Sequence, residues 1–369
     1  MSANGSILLP AMGRGNGLAP EAPRPGQTIL VAGGAGYIGS VLVPRLLVRG
    51  YKVRLLDRLY FGEQSLADFR ERIELVVADV RDIPASALDG VDGVDGVINL
   101  SGLSNDPTAE FDPEANWQMN AIATETLGRM CVERGISRYV FASSCSLYDG
   151  MPPGMHDETA DIQPRAAYAT SKRYGEERLL EMVDEGLCPV LLRNGTVYGY
   201  SPRMRFDLVV NTFTKDALLN NKLMLHGGGW MWRPLVDVRD VSDAMIAAFE
   251  APAEKVRGEI FNVLHSNYQI RELAMLVAGS VQVVTGKRVE LEETPAPKLT
   301  RDYECSNAKL STTLGFIPRH SVLEAVSDLL ARVGDWDRMR LTDPRGYNIR
   351  WLELLSELKP GLERFETVL

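Results

Sequence analysis

A tyrosine and a lysine four residues apart, in the run Tyr168-Ala169-Thr170-Ser171-Lys172, form the pair in this chain best suited to chemistry. On a helix that spacing puts both side chains on one face. A free tyrosine ionises near pH ~10 and is a poor base at neutrality. A neighbouring ammonium favours the phenolate and lowers that value, which suits the phenol to taking a proton from a sugar or alcohol hydroxyl. Ser144 lies 24 residues upstream, at the end of an expected strand. An isolated Tyr-x-x-x-Lys is usually a solvated helix surface. The serine and a glycine loop near the N-terminus make the catalytic reading the stronger one.

That loop is Gly33-x-x-Gly36-x-x-Gly39, which follows the apolar run Thr28-Ala32 and opens a stretch of helical periodicity. In that context the glycines allow a tight turn and close backbone approach to a pyrophosphate, which then sits at a positive helix N-terminus. Asp57 ends the second expected strand, 18 residues beyond Gly39. A carboxylate there accepts hydrogen bonds from ribose hydroxyls and repels a 2′-phosphate, so NAD is expected over NADP. Arg58 is the residue that would argue for NADP. Asp79, followed by Val80, ends the third strand and is placed to cap either the adenine edge or a turn.

The elements that must carry these residues alternate. Strands are expected at Thr28–Ala32, Val53–Leu56, Glu74–Ala78, Gly96–Leu100, Tyr139–Ala142 and Pro189–Leu192. Helices are expected at Tyr37–Arg49, Trp117–Arg134 and from Tyr168 to about Asp184. The rhythm predicts an α/β fold: a Rossmann-type doubly wound parallel sheet with a smaller mixed C-terminal substrate lobe. Residues 1–26 read as an N-terminal extension and 27–195 as the dinucleotide-binding domain, completed by about 236–264. Residues 196–235 and 265–334 form the substrate lobe, and 335–369 a C-terminal tail.

Composition narrows the partners. The 369 residues are 45% hydrophobic and 24% charged, ordinary for a chain with a real core. A net charge of -9 argues against a general nucleic-acid or anionic-membrane binder. No apolar run reaches the ~18 residues of a membrane span. Cys131, Cys145, Cys188 and Cys305 show no metal-ligand spacing, so no metal is expected and a reducing cytoplasm fits.

With these residues assembled, the chain resembles the extended short-chain dehydrogenase/reductase family, in its NAD-dependent nucleotide-sugar epimerase/dehydratase branch. The resemblance runs from about Thr28 to Arg332. It rests on Gly33-Gly34-Ala35-Gly36-Tyr37-Ile38-Gly39, Phe141-Ala142-Ser143-Ser144, Tyr168/Lys172, Leu192-Arg193 with Val197-Tyr198-Gly199, and Arg233 before Asp237-Val238-Arg239-Asp240. It implies that Ser144 hydrogen-bonds the reacting hydroxyl and Tyr168 is the acid/base. Lys172 would hold the nicotinamide ribose and lower the tyrosine pKa. Tyr37, Ile38, Leu100, Ser101, Gly102 and Asn120 join the cofactor set, although Asn120 reads equally well as a helix-surface amide. Ser104, Asn105, Cys145, Ser146 and Asn194 face the sugar. Arg233 and Arg301, ranked above Arg203 and Arg205, are placed for a diphosphate, with Asn211 a weaker candidate. Homodimerisation through the helices near 117–134 and 168–184 is implied by the resemblance alone.

The reaction is less constrained. The epimerase and dehydratase readings share a first step, oxidation of a sugar carbinol. The 4,6-dehydratases of the family carry Thr-Asp-Glu where this chain has Ser144-Cys145-Ser146, and neither Cys145 nor Ser146 can serve as that elimination's acid and base. The leading expectation is an epimerase of a nucleotide-diphosphate sugar, acting at C4. The alternatives are a one-way oxidoreductase such as a keto-sugar reductase, then a dehydratase or a non-catalytic dinucleotide sensor.

Overall fold

The computed structural model describes residues 24, 26–89, 93–296 and 301–364, so the N-terminal extension lies almost wholly outside the described residues. Its centre is a seven-stranded sheet. The spatial order is Glu259–Val263, Cys188–Asn194, Arg138–Ser144, Gly96–Asn99, Thr28–Ala32, Lys52–Asp57, Ile73–Val77. Every pair in it is parallel. Chain order reverses between Thr28–Ala32 and Gly96–Asn99. Ligands of doubly wound sheets bind at such a reversal, beyond the carboxyl ends of the strands.

The inner strands of the sheet are buried on both faces because they are apolar at successive positions. In Thr28–Ala32, Ile29 and Val31 point into one core with Leu42, Leu46, Val241, Met245 and Phe249. Leu30 and Ala32 point into the other with Leu127, Cys131, Leu179 and Met182. Full burial of each large aliphatic side chain contributes roughly 1.5–3 kcal/mol, so truncating one at this strand pair would loosen the floor of the site.

The second lobe has its own core of Tyr198, Val210, Phe213, Leu223, Leu225, Leu273, Val277 and Val326. It is built on a mixed sheet ordered Ser266–Gln269, Trp232–Asp237, Thr196–Tyr198. Strand Lys222–His226 pairs in parallel with Glu290–Thr294. Among the described residues no helix is long and apolar enough to cross a membrane.

Two elements differ from the expectations. The helix expected over Trp117–Arg134 opens with a π-helical turn at Trp117–Ile122 before the α-helix Ala123–Glu133. Such turns mark local insertions in a helix and carry no periodic signature. The segment read as a tail contains a short helix at Arg338–Leu341 and a 17-residue helix at Asn348–Arg364. It docks through Tyr347, which is buried with Met204, Phe206, Leu329, Val333 and Leu341.

Candidate active site

Two adjoining cavities open at the reversal point. The first is lined by the glycine turn with Tyr37 and Ile38, by Asp57 to Gly62, by Ala78 to Val80, and by Leu100 to Gly102. The second is lined by Ser104, Asn105, Ser144, Tyr168, Lys172, Asn194, Arg233 and Arg301. Ile38, Leu100, Ser101, Gly102, Ser104, Arg205 and Leu208 line both, so the two spaces share a wall.

The first cavity is shaped by close backbone approach. Gly33 has φ +78°, and a Cβ there would lie 2.9 Å from the Leu100–Ser101 backbone. A Cβ at Gly39 would lie 2.4 Å from the Gly34 carbonyl oxygen. Glycine is therefore required at both positions. Asp57 accepts hydrogen bonds from the amides of Ala35 (3.0 Å) and Leu59 (2.8 Å), while burial pushes its carboxyl above the usual range. Arg58 is tied to Asp79 by an ion pair. Burial alone would raise the Asp79 carboxyl, but hydrogen bonds from Arg81 and Arg58 outweigh it and hold the carboxyl below the ordinary value.

In the second cavity, Ser144 stands at the end of strand Arg138–Ser144, where its Oγ accepts from the Ser146 amide at 3.1 Å. Helix Ala167–Glu181 brings Tyr168, Lys172 and Glu176 to the ends of the central strands on one face. Burial raises the Tyr168 phenol above 10. Arg301, a hydrogen bond with Ser144, and Arg205 pull it back down. Lys172 Nζ donates to the Ala142 carbonyl (3.0 Å) and lies 4.7 Å from the centre of the Phe141 ring, and burial lowers its pKa to about 8. The cations that favour the phenolate are thus Arg301 and Arg205 of the second lobe.

Beneath these residues lies a buried network that sequence reasoning left unassigned. Arg193 makes a two-pronged contact with Glu176 (Nη2–Oε2 2.7 Å, Nε–Oε1 3.0 Å), and Ser143 Oγ donates to the same carboxylate. Tyr148 accepts from Arg193 Nη1 (2.9 Å) and donates to Asn262 (2.8 Å). The signal that could have found Glu176 is its position one helical turn beyond Lys172.

The remaining residues divide. Ser104, Asn105, Asn194, Arg205, Arg233 and Arg301 line the second cavity. Asn105 does so with φ +90°, and its side chain caps helix Asp106–Phe111. A non-glycine residue held there stores strain, a feature concentrated at functional sites. Arg301 pairs with Asp106, and burial lowers the pKa of Arg233.

Four expected substrate residues lie elsewhere. Cys145 is fully buried and its Sγ donates to the Arg193 carbonyl at 3.1 Å; burial raises its thiol pKa well above the usual value. Ser146 is 1% exposed and lines neither cavity. Both turn inward because the four residues after the strand curl into a 3-10 turn packed on Tyr303 and Leu264. Asn211 is consumed structurally, accepting from the Gly199 amide (3.0 Å) and donating to Tyr37 (3.1 Å) and the Arg205 carbonyl (2.9 Å). Arg203 faces the first cavity, over the Phe61 ring at 3.6 Å.

Asn120, in the π turn, lines neither cavity but braces their shared wall. It donates to the Leu103 carbonyl at 2.8 Å, and a Cβ at Gly102 would meet its Oδ1. Asn348, from the segment read as a tail, lines the first cavity; no local sequence signal marks it.

Residues 29–263 match the profile described as the NAD dependent epimerase/dehydratase family. A putative UDP-glucose 4-epimerase of Methanocaldococcus jannaschii is 31% identical over 224 residues, 60% of this chain and 72% of that protein. A UDP-N-acetyl-alpha-D-glucosaminuronate decarboxylase of Bacillus cytotoxicus is 29% identical over 248 residues, 63% of this chain and 74% of that one. The solved UDP-glucose 4-epimerase of Thermus thermophilus, in complex with NAD, is 26% identical with a TM-score of 0.71, covering 83% of this chain and 100% of that chain.

Proposed function

The chain belongs to the NAD-dependent epimerase/dehydratase family, and from that premise we propose that it is a nucleotide-sugar epimerase acting at C4 through a transient keto sugar. The observation that carries this reading is that Tyr168, Ser144 and Lys172 line one cavity, which shares a wall with the cavity of the glycine turn.

The first cavity fits NAD on three grounds. The Gly33 turn leaves no room for a side chain, Asp57 keeps acceptor capacity for ribose hydroxyls, and the buried Arg203 Nε has no partner among the described residues. Gly33, Gly36, Gly39, Tyr37, Ile38, Asp57, Asp79, Val80, Leu100, Ser101, Gly102 and Lys172 would hold it. NAD, when bound, supplies a reversible hydride acceptor. Ser144 orients the sugar hydroxyl and Tyr168 takes its proton, returning it when the carbonyl is reduced again. Arg301 and Arg205 favour the phenolate in the first half of that cycle.

The buried, inward-facing Cys145 and Ser146 support epimerisation over elimination, because no acid/base pair stands where a dehydratase needs one. Arg233 and Arg301 suit the diphosphate of the substrate. The protein is further read as a cytoplasmic homodimer, which light scattering would check for its mass.

The test incubates the purified protein with UDP- and dTDP-hexoses, UDP-uronates and UDP-pentoses, and follows products by NMR and mass spectrometry. The expected result is a C4 epimer with no net NADH formed. Unchanged stereochemistry across the panel would sink the reading, as would net redox turnover or carbon dioxide release from the uronates.

A further inference from the structure

The segment after Gly334 lies outside the span that matches the family profile, yet it puts a side chain into the dinucleotide cleft. Asn348 is 7% exposed and opens helix Asn348–Arg364. Its Oδ1 accepts from Arg203 Nη2, its Nδ2 donates to Ser104 Oγ (2.9 Å), and its backbone amide reaches Asp207 Oδ2 (3.4 Å). One residue thus engages three others at the wall between the two cavities.

These contacts act on Ser104 and on Arg203. Ser104 Oγ accepts from Asn348 and also from Arg205 Nη1 (2.9 Å). A hydroxyl oxygen that accepts twice has its own O–H left to donate, and Ser104 lines both cavities. Arg203, in turn, is pinned between Asn348 and the Phe61 ring, with its Nε unpartnered among the described residues. A buried cation without a full set of partners is costly, and an anion opposite it would relieve that cost. Trp351 Nε1 also donates to the Tyr60 carbonyl, tying the same helix to the loop after Asp57.

We propose that Asn348 is a positioning residue for the cofactor. It holds Arg203 toward the anionic part of NAD and fixes Ser104 as a hydrogen-bond donor where cleft and sugar cavity meet, so that the C-terminal helix retains bound NAD. This rests on the functional reading above only in taking NAD as the ligand.

The experiment loads the full-length protein with NAD and measures the NAD kept per chain after gel filtration, together with the Kd from titration with NAD. Asn348→Ala weakens NAD binding by about 10- to 100-fold. Asn348→Asp keeps an acceptor for Arg203 but loses the donor to Ser104, so it weakens NAD binding less than Asn348→Ala does. Tyr347→Phe removes the buried hydroxyl that donates to the Leu341 carbonyl; it lowers thermal stability and leaves NAD affinity unchanged. Wild-type affinity in Asn348→Ala overturns the inference. So does a loss in Tyr347→Phe equal to that in Asn348→Ala, since the effect would then be general loosening of the segment. A wild-type protein that binds no NAD defeats the functional reading and this inference together, whereas NAD binding that is equal in wild type and Asn348→Ala defeats this inference alone.

Discussion

Buried arginines stand on both sides of Tyr168, and they obey opposite rules. Beneath the tyrosine, Arg193 has all three guanidinium nitrogens engaged by Glu176 and Tyr148, and these partners hold its charge firmly in place. Across the cleft, Arg203 has Asn348 for one nitrogen and none for its Nε among the described residues, and burial with Arg205 nearby lowers its pKa to about 9. A fully satisfied buried pair fixes geometry, whereas an under-satisfied buried cation raises the energy of the protein by itself. The first set is scaffold for Tyr168 and Lys172. The second is arranged for something anionic.

The largest expected effect falls on the residue between the two sets. Tyr168→Phe removes the proton acceptor and should lower kcat by about 10²- to 10⁴-fold, with a melting temperature close to wild type. Retained wild-type turnover would remove the reason for treating Arg193 and Arg203 as servants of one site.

Next comes a direct break of the contrast. Arg193→Met leaves Glu176 buried without its cation and should destabilise the fold by about 3–5 kcal/mol. Arg203→Met abandons no such bidentate partner and should leave stability unchanged or raised. Chemical denaturation of both variants beside wild type gives the answer. Equal losses would mean that Arg203 is scaffold too.

What was legible in the sequence follows the same division. The glycine turn and its strand could be read because backbone approach restricts Gly33 and Gly39 to one residue type at a set distance from a strand end. Tyr168 and Lys172 could be read because helical spacing alone places them together. In the second lobe, side-chain direction depends on contacts distant in sequence. Asn211 is spent on Tyr37, 174 residues away, and Asn348 reaches Ser104 across 244. Cys145 and Ser146 turn inward because of a 3-10 turn that no periodicity announces.

The smallest effect concerns Lys172, which shares its helix face with both Tyr168 and Glu176. Burial lowers its pKa from 10.5 to about 8, only partly offset by the Glu176 charge. Between those two values the unfolded chain holds a proton that the folded chain has released, so this group makes the fold more stable as pH rises through the window. Above 10.5 the contribution is fully present; as pH falls toward 8 it is lost, because the folded protein must then bury an ammonium. Lys172→Met keeps the length of the side chain and removes the titration. Relative to this variant, wild type should show a stability deficit at pH 7 that shrinks by on the order of 2 kcal/mol by pH 10. Thermal melts of both proteins across that range check it. A constant difference would mean that the Ala142 carbonyl and the Phe141 ring hold the ammonium without cost, and Lys172 would then join Arg193 among the satisfied cations.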